Sequence, residues 1–368
     1  MTGETETYLG FFLPQAVWIG ASIDLSTFAN IKEAAKQVDQ IAYSRSCANL
    51  KLKAYRDGLF MLHIPEMEER RPPGQPAEFD DAITWWSRYL EYANTFFLLL
   101  DSSLIRHERY AYLELGEISK NDIWAATYEG DRLKGMGRAG HTQTATSFLY
   151  ARRSLIRHLG DDFDKMLEYQ CRKSDIPPRH YREKIEAIFF LSFPWRVPTL
   201  RTEVLDAALD QFDDILTNGH SPIPLLAELA KAIAQYKIGD FEVALSLSWF
   251  VIEKLLSAEW DQFINDRNSD LPGGAKRINL ERKERLQGRD YPASVKLNIL
   301  ELDSAITFDL YQQIDRVRHF RNKVIHRDDA FLCSRSHAVD AIHTAQSLIK
   351  RRFSIDIEIN DALSTMGV

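Results

Sequence analysis

The second half of the chain repeats the hydrophobic period of an α-helix from about residue 142 to residue 352. Apolar residues recur there every three to four positions, which places them on one face of a helix. Prolines and glycines interrupt the pattern, most clearly at Leu271-Pro272-Gly273-Gly274. The pattern predicts helices at residues 143–158, 162–172, 179–192, 199–217, 223–237, 241–265, 275–287, 293–301, 306–325 and 333–352. A helical bundle is therefore expected over this half.

The first third of the chain mixes strand and helix patterns. Residues Leu50–Tyr55 and Leu59–Ile64 are predicted strands, and Arg56-Asp57-Gly58 between them signals a hairpin. Helices are predicted at 25–43 and 79–104, and a further strand at 109–115. We therefore predict an α+β N-terminal domain over residues 1–175, followed by an all-α helical-bundle domain over residues 176–352.

The C-terminal end departs from the helical pattern. Isoleucines alternate with polar residues from Phe353 to Ile359, which is the period of a strand. A strand needs a partner, and the N-terminal sheet is the only sheet expected in this chain. Residues 353–368 are therefore predicted to form a strand and tail, with the strand joined to that sheet.

Size and composition restrict the class of protein. The 368 residues are enough for two domains with separate cores. The net charge of −7 argues against binding nucleic acid over the whole surface. Three distant cysteines, Cys47, Cys171 and Cys333, give neither a disulfide framework nor a zinc spacing. An acidic N-terminus and the lack of a long apolar run indicate a cytoplasmic protein that does not cross a membrane. No metal ligand cluster or cofactor motif is found, so no cofactor is expected.

Positive charge is concentrated in two segments. Residues 316–327 contain five basic residues and no acidic one. Residues 276–290 contain six basic residues, offset by Glu281, Glu284 and Asp290. Such runs are usually solvated helix faces, but the first one overlaps an unusual arrangement of side chains and favours a phosphate-binding strip.

Arg321 lies in an abnormal place for a charged residue. The helix predicted over 306–325 has an apolar stripe made of Leu310, Ile314, Val317, Val324 and Ile325. Arg321 follows Val317 by four residues and falls within this stripe, so it needs an anionic partner. Glu253, within the apolar run 249–256, is the internal candidate. His326 lies about 140° around the helix from Arg321, so a second chain or the end of the helix must bring the two together.

The run 317–326, with sequence VRHFRNKVIH, resembles the signature of HEPN domains. These small helical domains carry an Arg, a polar residue, a few further residues and a His at the end of their third long helix. Residues 241–260 resemble the first long helix of the family, and residues 332–352 resemble its closing helix. The similarity is closest to the abortive-infection branch and covers about the last two-fifths of the chain.

The resemblance implies a metal-independent endoribonuclease that acts as a homodimer, in defence against phage or mobile elements. An Arg can clamp phosphate oxygens, and a His suits proton transfer near neutral pH. The expected catalytic residues are Arg321, His326 and Asn322, with Asn322 orienting the ring or a phosphate. Glu253 would support Arg321. The expected RNA contacts are Arg318, His319, Lys323 and Arg327. The N-terminal domain would regulate or target the nuclease by binding an unknown trigger.

Two other functions remain open at this point. In one, the Arg-Asn-His residues only hold a helix end and a dimer interface together in a non-catalytic binding module. In the other, Gly135-Met136-Gly137-Arg138-Ala139-Gly140 matches the dinucleotide-binding pattern GxGxxG. The polar residues before these glycines predict a loop rather than a strand, which disfavours a dinucleotide site. An anion-binding loop remains open there.

Overall fold

A computed structural model describes residues 5–13, 17–21, 37, 40–69, 79–108, 116–119, 123–130, 132–138, 198–326 and 331–360. The chain forms two compact units, Met1–His220 and Ser221–Val368. The boundary follows residue 220, whereas the sequence predicted it near residue 175. The helix at 202–218 therefore belongs to the first unit.

The first unit combines a sheet with helices. Its described strands are β1 (Thr5–Phe12), β2 (Trp18–Ile19), β3 (Ile41–Ser46), β4 (Lys51–Tyr55), β5 (Leu59–His63), β6 (Ile123–Glu129), β7 (Arg132–Arg138) and β8 (Thr199–Leu200). Its described helices are α1 (Pro65–Glu69), α2 (Phe79–Glu108) and α3 (Thr202–Asn218). An α+β N-terminal unit is thus confirmed.

Six of these strands make one antiparallel sheet, in the order β3-β4-β5-β1-β6-β7. The predicted hairpin is confirmed, since β4 and β5 pair with Leu52 opposite Leu62. Gly58 in its turn has φ of +82°, a conformation that glycine adopts without steric cost. A Cβ at Gly58 would also meet the carbonyl oxygen of Val17 at 2.8 Å, so the turn requires glycine twice over.

The sheet has an apolar core on each face. On one face, Phe11 stacks on Phe60 and both contact Phe96 of α2, which in turn packs on Phe212 of α3. The opposite face carries a second buried cluster, made of Tyr8, Phe12, Tyr55, Leu59, Met61, Trp124, Ala126 and Tyr128. Of the four aromatic residues from 85 to 92 in α2, Trp85, Tyr89 and Tyr92 are buried and Trp86 is half-buried.

The second unit is helical throughout its described elements. These are α4 (Ile223–Lys237), α5 (Phe241–Asp266), α6 (Leu280–Gln287), α7 (Ala293–Leu302), α8 (Phe308–Ile325) and α9 (Arg335–Phe353). The 26-residue α5 is central and packs against α4, α7, α8 and α9. Asp240 caps it, since its carboxylate accepts from the backbone N–H of Val243 at 3.1 Å. The helical character of this unit is thus confirmed.

Three predictions of local structure are corrected. Residues 41–43, predicted as the end of a helix over 25–43, belong to strand β3 (Ile41–Ser46), and most of the remainder of the predicted helix lies outside the described residues. Residues 132–138, predicted as loop, form β7 antiparallel to β6. Residues 354–360 form no strand, and Ser354 has a left-handed φ of +58°. Instead, Ile355 and Ile357 are buried against the second unit itself, where Gln346 of α9 donates a hydrogen bond to the carbonyl of Ile357.

The helices predicted at 143–158, 162–172 and 179–192 and the strand at 109–115 lie outside the described residues, as does Cys171.

Candidate functional site

The Arg321–His326 motif lies on the last turn of α8. Thr307 caps the start of this helix, with its hydroxyl accepting from the N–H of Leu310 at 3.3 Å. The helix ends at Ile325, and His326 is the C-cap, with its N–H donating to the carbonyl of Asn322 at 2.9 Å. The helix therefore stays regular up to the histidine. Arg321 and His326 point about 140° apart around it.

Arg321 continues a buried stripe. Ile314 and Val317 are fully buried, and Arg321, one turn further on, is half-buried. Its Nη1 donates to Oδ1 of Asn322 at 3.2 Å. Within the described part of the chain, Arg321 has no carboxylate partner. A permanent positive charge held only by a neutral amide remains free to bind an anion.

His326 is exposed at the helix end. Its imidazole makes no hydrogen bond or ion pair with any residue that the structure describes. Asn322 contacts His326 only through its backbone carbonyl, because its side chain accepts from Arg321. The Asn322 side chain thus binds the guanidinium of Arg321, a contact that the two predicted roles, orienting the ring or a phosphate, did not include.

Glu253 does not fill the place predicted for it. It is exposed on α5, and no ion pair joins it to Arg321 among the described residues. The physical reason is that its position on α5 falls outside the buried face formed by neighbours such as Ile252 and Leu255. An exposed glutamate needs no cation, so the argument for this pair does not apply.

Two of the predicted RNA contacts are bound to one aspartate. Arg318 Nη2 lies 2.8 Å from Asp315 Oδ1, and Nε donates to the same oxygen at 2.9 Å. His319 Nδ1 donates to the backbone carbonyl of Asp315 at 2.7 Å and lies 3.3 Å from its carboxylate. Arg316, another member of the basic strip, lies 3.6 Å from Asp340 of α9. These acids lower the positive charge of the strip.

Lys323 and Arg321 are the strip's remaining described cations. Lys323 is exposed, with its ammonium 5.3 Å from the centroid of the Phe331 ring. Arg327 lies outside the described residues. Lys323 follows Arg321 by two residues, about 200° around α8, so these two cations lie on different sides of the helix end and do not form a strip along it.

An aromatic cluster that the sequence analysis missed supports this end of α8. Phe320 stacks on Phe331 at 6.1 Å, and His337 of α9 lies 4.3 Å from Phe320 and 5.0 Å from Phe331 between ring centroids. His337 Nδ1 accepts from the backbone N–H of Ser334 at 3.1 Å, completing a capping box at the start of α9. The cluster therefore fixes the last turns of α8 against α9.

The residues that the sequence analysis missed differ in whether their spacing along the chain could have predicted the contacts. Asp315 precedes Arg318 and His319 by three and four residues, a spacing that joins side chains on one helix, so the sequence carried a signal. His337 and Asp340 come from another helix, and no spacing along the chain predicts their contacts with α8.

Other kinds of site are scarce in the described part of the chain. There, no group of three or more His, Cys, Asp and Glu side chains is placed to hold a metal ion. None of the described helices combines the length and apolar character needed to cross a membrane. The glycines at 135 and 137 lie in β7, so the strand, glycine loop and helix of a dinucleotide site are not formed over the described residues 132–138.

Comparisons with known proteins gave no match: no protein-family model, no curated protein and no solved structure is similar to this chain at a significant level. The resemblance to HEPN domains therefore rests on the Arg321–His326 motif and on the order of the helices around it.

Proposed function

We propose that the second unit is a metal-independent endoribonuclease of the HEPN type. The observation that carries the proposal is the end of α8. His326 at the end of this helix is exposed, and its ring has no hydrogen-bond partner among the described residues. On the same helix, Arg321 is half-buried, is bound by Asn322 and has no carboxylate partner among the described residues. A histidine that served only to hold the fold together would be expected to be buried and hydrogen-bonded.

The reaction needs two proton transfers and a cation. A base removes the proton of the RNA 2′-hydroxyl, and the 2′-oxygen forms a bond to the adjacent phosphorus. The bond from phosphorus to the 5′-oxygen breaks, and an acid protonates that oxygen. The products are a 2′,3′-cyclic phosphate and a 5′-hydroxyl. Arg321 would stabilise the negative charge on the pentacovalent phosphorus, and His326 would transfer protons.

The geometry favours a site made by two copies. His326 points away from Arg321 on its own helix, so one chain cannot present both groups to one phosphate. A two-fold arrangement of two α8 ends would pair Arg321 of each copy with His326 of the other copy. We therefore place the proposed activity in a homodimer, with the first unit as a regulatory or targeting part. Its biological setting, by the resemblance, would be defence against phage.

The test is cleavage of single-stranded RNA in excess EDTA. The parent should cut and leave a cyclic phosphate. Arg321→Ala and His326→Ala should each abolish cutting, the first through a loss of about 3 kcal/mol or more of transition-state stabilisation. Asn322→Ala should reduce cutting less, because it only orients Arg321. Arg321→Lys keeps the charge and loses the fork, so strong impairment there would show that two parallel hydrogen bonds matter.

A matched control is His107→Ala, which removes an exposed histidine of α2 in the first unit. It should cut like the parent. If a well-folded His326→Ala variant cuts as fast as the parent, His326 has no catalytic role. A non-catalytic dimerisation module would then replace the nuclease. The specific observation in favour of that second candidate is the exposed apolar residues beside the motif, with Ile325 50% and Leu332 84% exposed.

A further inference from the structure

The basic segment 276–290 lies outside the proposed active site and forms one wall of a pocket in the second unit. The pocket lies between the end of α5, the loop that follows it and α6, and it encloses about 190 Å³. All of its lining residues are described. None of them is acidic, and three of them are arginines: Arg267, Arg277 and Arg282.

One side of the pocket is a stack of flat groups. Trp260 and Phe263 stack with centroids 5.1 Å apart and planes at 12°. The guanidinium carbon of Arg267 lies 3.8 Å from the Phe263 centroid, and Arg267 is paired with Asp303. Aromatic rings and arginine planes are the surfaces on which unpaired bases stack. Trp260 is only 2% exposed and also stacks on Tyr291 with ring centroids 5.6 Å apart. The exposed Arg267 is therefore the flat group of this side that a nucleobase can reach.

The opposite side carries charge that is free to bind an anion. Arg277 and Arg282 are exposed, and neither has a carboxylate partner in the described part of the chain. Arg282 Nη1 donates to the backbone carbonyl of Arg277 at 3.2 Å, which holds the two residues together. The neighbouring Lys276 is by contrast paired with Asp270 at 2.8 Å. Two adjacent guanidinium groups without carboxylates match the geometry of a phosphate.

The pocket is held open by polar contacts rather than by a core. Trp260 Nε1 donates to the carbonyl of Leu286 at 2.9 Å, which ties α6 to α5. Asn279 caps α6 by accepting from the N–H of Arg282 at 2.9 Å, and α6 buries no residue. A helix with no buried side chain contributes little to the core, so its charged face serves the surface.

The size of the pocket limits the ligand. Its volume of about 190 Å³ is below the roughly 300–1,000 Å³ of pockets that enclose a drug-sized ligand. One ring with its phosphate at the rim fits this volume better than a whole dinucleotide. A peptide partner would need a sheet edge or an extended groove, which a pocket of this size does not provide.

We propose that this pocket binds one unpaired nucleotide of single-stranded RNA, with the base against the Arg267 guanidinium that lies over Phe263 and the phosphate on Arg277 and Arg282. The choice of RNA rests on the proposed function. The pocket then makes a second contact for a strand that is cut at the Arg321–His326 motif.

Binding is measured separately from cutting, in full-length protein carrying His326→Ala. The probe is a short fluorescein-labelled single-stranded RNA of mixed sequence, followed by anisotropy across a series of salt concentrations. The pocket variant is Arg277→Gln with Arg282→Gln. The matched control is Arg285→Gln with Arg289→Gln, which removes the same charge from exposed positions of the same segment that do not line the pocket.

The pocket variant should bind RNA about tenfold more weakly than the parent. The slope of log K against log salt should fall by about 0.7, because the variant no longer neutralises the one RNA phosphate that the two arginines share. The control should keep the parental slope. All four substituted side chains are exposed, so circular dichroism and thermal midpoints should match the parent.

Equal weakening by both double variants would reduce the effect to general charge and overturn the pocket. So would parental affinity in the pocket variant, in which case these arginines take no part in binding RNA. If RNA binding depends on the pocket but the protein with His326 intact does not cut RNA, the pocket is supported and the proposed nuclease is overturned. If the protein with His326 intact cuts RNA but the pocket variant binds RNA with parental affinity, the nuclease is supported and the pocket is overturned.

Discussion

Glu6 is a carboxylate whose charge is held by neighbours on the sheet. Burial alone would raise the pKa of this side chain, but hydrogen bonds from Lys51 and Tyr8, with the charges of His63 and Lys51, outweigh it and lower the pKa below 4.5. Tyr8 donates to Glu6 Oε2 at 3.0 Å, and Lys51 forms an ion pair with Oε1. The folded state therefore favours the ionised form of Glu6.

A lowered pKa makes stability depend on acid. The contribution of Glu6 is fully present above its unfolded pKa of about 4.5 and is lost as the pH falls through the lower folded value. We expect Glu6→Gln to lower the free energy of unfolding at pH 6 and to have a smaller effect at pH 3.5. Urea unfolding at both pH values measures this.

The control for this prediction is Glu69→Gln, an exposed glutamate at the end of α1. It should change the free energy of unfolding little, and by the same amount at both pH values. An effect of Glu6→Gln that does not shrink in acid would show that its loss acts through packing and not through charge.

Single residues of the candidate site were predictable only where the signal was local. The position of Arg321 on an apolar stripe follows from the helical period, and the structure has it half-buried beside Val317. The partner of Arg321 did not follow, because Glu253 was chosen from its apolar neighbours along the chain, and its true exposure depends on which face of α5 is covered. Asp340 reduces the charge of the basic strip through Arg316 and comes from another helix.

At the scale of elements, the C-terminal segment shows the limit of an alternating pattern. Alternation only states that successive side chains point in opposite directions in an extended chain. Ile355 and Ile357 are 7% and 1% exposed, as the pattern required. Helices of the second unit cover these two side chains. Two backbone carbonyls of the segment accept hydrogen bonds from helix side chains, that of Ile357 from Gln346 and that of Asn360 from Lys237. Long helices with a strong period were predicted within a few residues, as with α4 at 223–237.

The packing of this segment predicts its contribution to stability. Ile357→Ala should lower the free energy of unfolding by roughly 2–5 kcal/mol, because it removes a buried side chain and leaves a cavity. Chemical unfolding followed by circular dichroism measures the change. Glu358→Ala, at the exposed neighbouring position, should change it by less than about 0.5 kcal/mol. Equal effects of the two substitutions would contradict the packing.

At the scale of the whole molecule, the chain divides into two units, and the Arg321–His326 motif lies entirely in the second. The second unit contains the whole of α5, α8 and α9 and packs them together. The sequence predicted all-helical structure from residue 176, but strand β8 (Thr199–Leu200) lies within that range. The helix α3, which has a helical pattern, packs against α2 in the first unit. Periodicity identifies a helix and does not state which core covers it.

The proposed homodimer would complete the site that a single chain leaves divided. Ile325 and Leu332 are large exposed apolar residues on either side of His326 along the chain. The stacking of Phe331 on Phe320 places Leu332 near the end of α8. We expect light scattering to give the mass of two chains at micromolar concentration. Leu332→Asp should shift the protein to monomer, whereas Leu302→Asp, at a position 82% exposed on α7, should not. A parent that is monomeric with and without RNA would contradict this.

Mixing two inactive variants tests whether the site is shared between copies. Arg321→Ala and His326→Ala each lack one half of the motif. If Arg321 of one copy works with His326 of the other, a mixed dimer has one site with both groups missing and one with both intact. Half of the dimers in an equimolar mixture are mixed, and each then has one of two sites, so activity should return to about a quarter of the parental rate. Subunits are exchanged by mild denaturation and refolding before the RNA assay. If the mixture stays inactive although mass measurements show mixed dimers, Arg321 and His326 must act within one chain, and the reason for placing the site across a two-fold axis is lost.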